Sequence, residues 1–339
     1  MAQGGTGLSA TPKIALVGCG HWGKNLCRNF HELGALFSVV DASNNEQITA
    51  RSIAPDTQIT DSIDDVLSND HIQGVALATP AETHAELAIQ AMQAGKDVFV
   101  EKPMALTLED AEKMKKVAEE TGLILMVGHL LEYHPAVLKL REIIASGELG
   151  KINYIYSNRL NFGKVRTEEN ALWSFAPHDV AVILRLMGQA PVEVSACGGS
   201  YLTNGIADTT MSNLKFSDDS RAHIFVSWLH PFKEQRLVVV GDKKMAIFND
   251  IAPFGEKLQL YPQNVEFEGV IPLLKKEDAQ FVEHVDTEPL REECNHFLEC
   301  IQSRNQPLTN APSGIDVLNV LHACQQSIEQ NGAPVSLRN

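Results

Sequence analysis

The chain has 339 residues, enough for two domains that each bury a core, and its 28 Lys and Arg stand against 43 Asp and Glu, a formal charge of −15. That balance lacks the positive footprint a nucleic-acid interface requires, although local cations and helix N-termini can still hold a small anion. The opening MAQGGTGLSATP has neither a basic start nor an apolar stretch, and no apolar run reaches the length of about eighteen residues that a membrane span needs, so a cytoplasmic location is expected.

Residues 1–12 read as a flexible N-terminus. From Lys13 short apolar runs alternate with amphipathic ones, the signature of strand–helix–strand units and a parallel sheet. IALVG, LFSVVD, GVALATP, DVFVEKP and LILMVGH read as strands. Leu26, Phe30 and Leu33 mark one helical stripe between them, and Leu87, Ala88, Ala91 and Met92 mark another that stops at Gly95. Thr107 with Asp110 predicts a capping box for a helix ending near Gly122. Ligands of open α/β sheets sit beyond the strands' carboxyl ends, which groups Gly18, Asp41, Thr79, Lys102 and His129.

After about Leu130 the pattern changes. A helix over 135–146, the strand KINYIYSNRL and a helix over 178–187 precede EVSACGGS, TTMSNLKF, RAHIFVSWL, RLVVVG and MAIFND, spaced as an antiparallel meander with turns at SDDS and GDKK. Helical patterns over 291–303 and 313–329 close the chain. The six cysteines (Cys19, Cys27, Cys197, Cys294, Cys300, Cys324) form no CxxC and read as reduced core residues, and the twelve histidines show no ligand spacing, so neither disulfides nor a metal is expected.

GCGHWG at 18–23 is a G-x-G-x-x-G directly after one strand and before a helix. Gly18 allows the tight turn, Gly20 close approach of a pyrophosphate, and Gly23 close helix packing; His21 and Trp22 lie in the same loop. Asp41 ends the second strand where an acid receives the adenosine ribose; its charge would repel a 2′-phosphate, and Ser43 and Asn44 supply no Arg, so NAD is expected over NADP. The fold class expected is α/β: a Rossmann doubly wound parallel sheet over 13–130, then over 131–339 an α+β substrate and oligomerisation domain with a large open, mainly antiparallel sheet. Glu101 and Lys102 end a strand before Pro103, where a cationic nicotinamide would favour the neutral amine of Lys102 and suit it to bond a substrate hydroxyl.

With ATPAETH (78–84), EKP (101–103) and a histidine ahead of a helix in WSFAPHDVAVI, the chain resembles the glucose-fructose oxidoreductase and inositol dehydrogenase family over essentially its whole length. The resemblance implies that Lys102 and His178 act at the sugar carbon being oxidised. It also implies that Thr79, Pro80 and His84 line the cofactor crevice and that the protein is a dimer or tetramer through the open sheet. Read as the start of a helix, His178 would feel a dipole that keeps it neutral as a base. Many members carry an acid four residues earlier, where this chain has Ser174, so Asp179 is the alternative orienting partner.

Within the family, GHLLEYHPAV, SNRLNFGKVRTEENALWSFAPHD and SWLHPFKEQRLVVVG are similar to enzymes that oxidise C3 of UDP-linked N-acetyl sugars. UDP-N-acetylglucosamine 3-dehydrogenases, whose 3-keto product is aminated in lipid A or surface-polysaccharide synthesis, come first and UDP-N-acetylglucosaminuronate 3-dehydrogenases next. That likeness implies UDP contacts from Arg159, Lys164 or Arg166, with Lys233 and Arg236 as further cations, and places Tyr133, Asn161 and Trp173 near the sugar. A free-sugar or inositol dehydrogenase, and a non-catalytic NAD sensor, are the other readings.

Overall fold

The computed structural model describes residues 11–337; the first ten residues, most of the expected flexible N-terminus, and the last two lie outside the described residues. The chain divides into two compact units, one running to Gly128 and taking in Leu290–Ile315, the other His129–Pro289 with the chain from Asp316 onward.

In the first unit β1 (Ile14–Val17), α1 (Gly23–Glu32), β2 (Leu36–Val40), α2 (Asn44–Ile53), β3 (Gln58–Thr60), α3 (Asp64–Leu67), β4 (Gly74–Leu77), α4 (His84–Gln93), β5 (Asp97–Glu101), α5 (Leu108–Thr121) and β6 (Leu125–Gly128) alternate. All neighbouring strands pair in parallel, in the order β3-β2-β1-β4-β5-β6. Strands covered on both faces must be apolar throughout, and β1, β4, β5 and β6 are buried at every residue. The order reverses between β1 and β4, so their carboxyl ends flank the ligand-binding crevice of such a sheet. The side-chain cap of the predicted box is formed: the Asp110 amide donates to Thr107 Oγ1 at 3.1 Å, the Thr107 hydroxyl donates to Asp110 Oδ2 at 2.8 Å, and α5 stops at Gly122 with φ +69°.

The second unit contains α6 (Pro135–Ala145), β7 (Ile152–Phe162), α7 (Ala171–Met187), β8 (Glu193–Gly199), β9 (Thr209–Lys215), β10 (Arg221–Ser227), β11 (Leu229–Gly241), β12 (Lys244–Asn249), β13 (Leu258–Glu268), β14 (Ile271–Lys276) and β15 (Gln280–Phe281). After α8 (Pro289–Ser303) and α9 (Ala311–Glu329), β16 (Val335–Ser336) pairs with β8. The main path is β14-β13-β12-β11-β7-β10-β9-β8-β16, antiparallel except that β7 and β10 run parallel, so the sheet is mixed rather than a pure meander. In β10, Ala222, Ile224 and Val226 are buried in the core shared with α7 while Arg221 and His223 are exposed, the period-2 pattern of a sheet with one open face. Five cysteines are buried, but Cys197 is exposed on β8, contrary to its reading as a core residue.

Two further expectations change. The helix expected to open at His178 begins at Ala171, capped by Asn170, whose side chain accepts the Trp173 amide, and it contains Pro177. His178 therefore lies in its interior, beyond the first turn over which a dipole acts. The boundary is also not a single cut near residue 130, because α8 returns to the first unit. Phe297 is fully buried with its ring edge-on to Phe30 at 6.5 Å and Phe99 at 5.9 Å, and Arg304 forks onto Asp97 at 2.7 and 3.0 Å. Replacing Phe297 by Ala should destabilise the first unit by about 3–5 kcal/mol, read as a lower urea midpoint; an unchanged midpoint would show that α8 is a dispensable appendage.

Candidate active site

The glycine loop is built by backbone packed on backbone. A side-chain carbon on Gly23 would stand 2.1 Å from the Gly18 oxygen, and one on Gly18, where φ is +89°, would stand 2.8 Å from the Ala78 oxygen. Beside Gly20 nothing lies within 4 Å, which leaves room for a ligand's backbone. The first turn of α1 has no side-chain cap at its N-cap residue and no acidic residue, so its amides suit a pyrophosphate. Asp41 accepts the Cys19 amide at 2.7 Å and the Ser43 amide at 2.9 Å. Each carboxylate oxygen has a second lone pair for a ribose hydroxyl, so the residues fit NAD.

Trp22 and Glu101, expected separately at the cofactor, are joined: the indole N–H donates to Glu101 Oε1 at 2.5 Å and ties the glycine loop to the end of β5. Burial pushes the Glu101 carboxyl up to about 7, opposed by the Trp22 hydrogen bond and the charge of Lys102. Lys102 follows, half-buried, and its amide donates to Glu101 Oε2 at 3.3 Å. His21 and Pro80 are exposed, and the Thr79 hydroxyl is shared with Thr83 at 2.7 Å. His84 is not on an open crevice wall: it is 1% exposed, with Nδ1 at 2.8 Å from the Pro103 oxygen and Nε2 at 2.9 Å from the Thr79 oxygen. His129 is buried and belongs to the second unit.

On α7, His178 is half-buried, and its neighbour Asp179 is buried rather than turned to solvent. Asp179 accepts from the Ser157 hydroxyl at 2.5 Å and from Arg159 through Nε at 2.6 Å and Nη2 at 3.2 Å. Arg159, expected at the UDP, is thereby engaged with α7 through a buried bidentate pair. Farther along, Arg185 donates to the buried Glu132 at 2.6 Å. Lys164 and Lys233 are exposed, Arg166 pairs with Glu169 at 3.0 Å, and Arg236 lies 3.9 Å from Glu234. Asn161 is half-buried, Tyr133 is buried, and Trp173 packs edge-on to His322 at 4.9 Å. Lys102 and His178 belong to different units. Ser157 and the Glu132–Arg185 pair carry no sequence signal, since their partners lie far apart along the chain.

Because the folded chain holds the Glu101 proton more tightly than the unfolded one, this group's contribution to stability is complete below about pH 4.5 and is lost as pH rises through about 7. Glu101→Gln keeps an acceptor for Trp22 and removes that titration. It should match the wild type near pH 5 and be more stable at pH 8, by on the order of 3 kcal/mol in urea unfolding; parallel pH profiles would show that Glu101 does not titrate in this range.

Residues 12–129 match the family described as an oxidoreductase family with an NAD-binding Rossmann fold, and residues 137–247 match the GFO/IDH/MocA C-terminal domain. The chain is 29% identical to the 2,7-anhydro-N-acetylneuraminate hydratase of Mediterraneibacter gnavus, over 74% of this chain and 70% of that protein. It is 25% identical to the UDP-N-acetylglucosamine 3-dehydrogenase of Acidithiobacillus ferrooxidans, over 90% of this chain and 94% of that one. A solved structure of that enzyme superposes with a TM-score of 0.83 at 24% identity, covering 94% of this chain and 97% of that one. Identity to the scyllo-inositol 2-dehydrogenase (NAD(+)) of Bacillus subtilis is 27%, over 80% of each chain. With both domains matched in order and a glycine loop whose shape suits a dinucleotide, the chain belongs to the GFO/IDH/MocA family and is an NAD-binding oxidoreductase.

Proposed function

We propose that the protein oxidises the C3 hydroxyl of UDP-N-acetylglucosamine with NAD. The observation that carries this reading is the extent of likeness: the UDP-N-acetylglucosamine 3-dehydrogenase matches 90% of the chain, against 74% for the hydratase and 80% for the inositol enzyme. The exposed Lys164 and the half-buried Arg166, in the polar segment between β7 and α7 of an otherwise acidic chain, are suited to a diphosphate, with Tyr133, Asn161 and Trp173 near the sugar. Arg159, bound to Asp179, serves α7 instead.

In this reading His178 takes the C3 hydroxyl proton and Lys102 donates a hydrogen bond to the same oxygen as negative charge develops on it. Bound NAD supplies the acceptor for the hydride that leaves C3. Pro177 has no N–H for the Trp173 carbonyl, so the α7 ladder is interrupted beside His178, and the Asp179 clamp fixes the helix immediately after it. Asp41 favours NAD over NADP by its charge. The 3-keto product would feed amination toward lipid A or a surface polysaccharide. We place the enzyme in the cytoplasm as a dimer or tetramer through the open face of the second sheet, where Tyr154 and Met211 are exposed and Tyr156 stacks on His223 at 5.2 Å.

Incubation with NAD and UDP-N-acetylglucosamine should generate NADH absorbance. Lys102→Ala and His178→Ala should each lower turnover by about 10²–10⁴-fold while NAD binding persists. Turnover of inositol or free sugars without the UDP sugar would overturn the nucleotide reading, and a UDP-sugar uronate turned over far faster would move the substrate to the C6 acid. Tight NAD binding with no turnover of any sugar would favour a sensor.

A further inference from the structure

His84 opens α4, is 1% exposed, and has a carbonyl oxygen on each ring nitrogen: Pro103 at 2.8 Å from Nδ1 and Thr79 at 2.9 Å from Nε2. Carbonyl oxygens only accept, and a neutral imidazole carries a single N–H. A neutral ring would therefore set one nitrogen lone pair against a carbonyl lone pair at hydrogen-bond distance, inside a site closed to water. An imidazolium donates to both, and its bonds are charge-assisted, about twice as strong as neutral ones.

We propose that His84 is a positioning residue held as an imidazolium, stapling the backbone of Thr79 after β4 to that of Pro103 after β5. Thr79 follows β4, whose end flanks the cofactor crevice, and Pro103 follows its neighbour β5, so the staple sets the separation of the two segments and with it the placement of Lys102, one residue before Pro103. The part of this inference that concerns Lys102 rests on the proposed reaction; the part that concerns NAD does not. Burial, the strongest influence on the ring, lowers its pKa below the ordinary histidine value, opposed by the two carbonyls and the charge of Glu82 in the preceding turn, which favour the charged form. Thr79 and Pro103 lie two residues beyond the ends of β4 and β5, and the carbonyl of each meets the ring at hydrogen-bond distance. Against that burial stand two carbonyl acceptors, one on each ring nitrogen, which a neutral ring cannot both satisfy.

Ring-nitrogen NMR of the full chain, with the His84 signals assigned by their loss in His84→Gln, reads the protonation state directly. Both nitrogens should be protonated at pH 7.5, where an ordinary histidine of pKa about 6.5 is mostly neutral; a single neutral tautomer at that pH would overturn the assignment. The second measurement is NAD affinity without any sugar, which keeps it independent of the substrate reading. His84→Gln should weaken NAD about tenfold, whereas Met114→Ala, a buried control on α5 matched for loss of thermal stability, should bind NAD as the wild type does. Equal affinity in the wild type and His84→Gln, or equal weakening in both variants, would reduce His84 to a fold-stabilising residue. If His84→Gln does not fold, the wild-type protonation state still decides, with signals assigned through bonds.

Discussion

The first unit depends on one steric constraint: α1, the glycine loop and the end of β4 meet at main-chain distance, with no side chain larger than the methyl of Ala78 against Gly23. No side chain larger than hydrogen fits at Gly23, 2.1 Å from the Gly18 oxygen, or at Gly18, 2.8 Å from the Ala78 oxygen. That closeness brings the first amides of α1 to the switch between β1 and β4. It also puts the Cys19 amide on Asp41 and the Trp22 indole on Glu101, so the dinucleotide loop is joined by hydrogen bonds to the ends of two further strands. A larger residue at either glycine would displace all of these together. The loop's shape is thus set by the fold's own contacts, a preorganisation that lowers the ordering cost of binding.

The second unit solves a different problem, that of holding a helix interrupted at its middle. Pro177 removes one hydrogen bond from α7 just ahead of His178. Asn170 caps its start and is itself held by Gln325 at 2.8 Å; Ser157 and Arg159 grip Asp179, and Glu132 grips Arg185. Buried ion pairs add little net stability once desolvation is counted, but a bidentate fork restricts orientation. Burial pushes Glu132 up to about 7 even against Arg185, the mark of a carboxyl kept from water.

Much of this was legible in the sequence where the signal is local. The apolar runs of β1, β4, β5 and β6 are buried at every residue, and the Thr107 box and the glycine fingerprint specify their own geometry. β3 was not, because three residues, QIT, make too short a run to show a period. The start of α7 is masked in the sequence because Pro177 resembles a first-turn proline, while the cap at Asn170 lies in a polar segment. The return of α8 to the first unit and the capture of Arg159 by Asp179 depend on partners remote in sequence, Phe30, Phe99 and a residue one helix away. No periodicity encodes such pairings. His84 falls between: ATPAETH marks it as special, but only coordinates reveal two acceptors on one ring.

The most direct test of the central claim follows the hydrogen itself. UDP-N-acetylglucosamine carrying deuterium only at C3 should hand that deuterium to the nicotinamide ring and turn over more slowly than the unlabelled sugar whenever hydride transfer limits the rate. NADH formed without deuterium, while label at another ring carbon is transferred instead, would contradict the account.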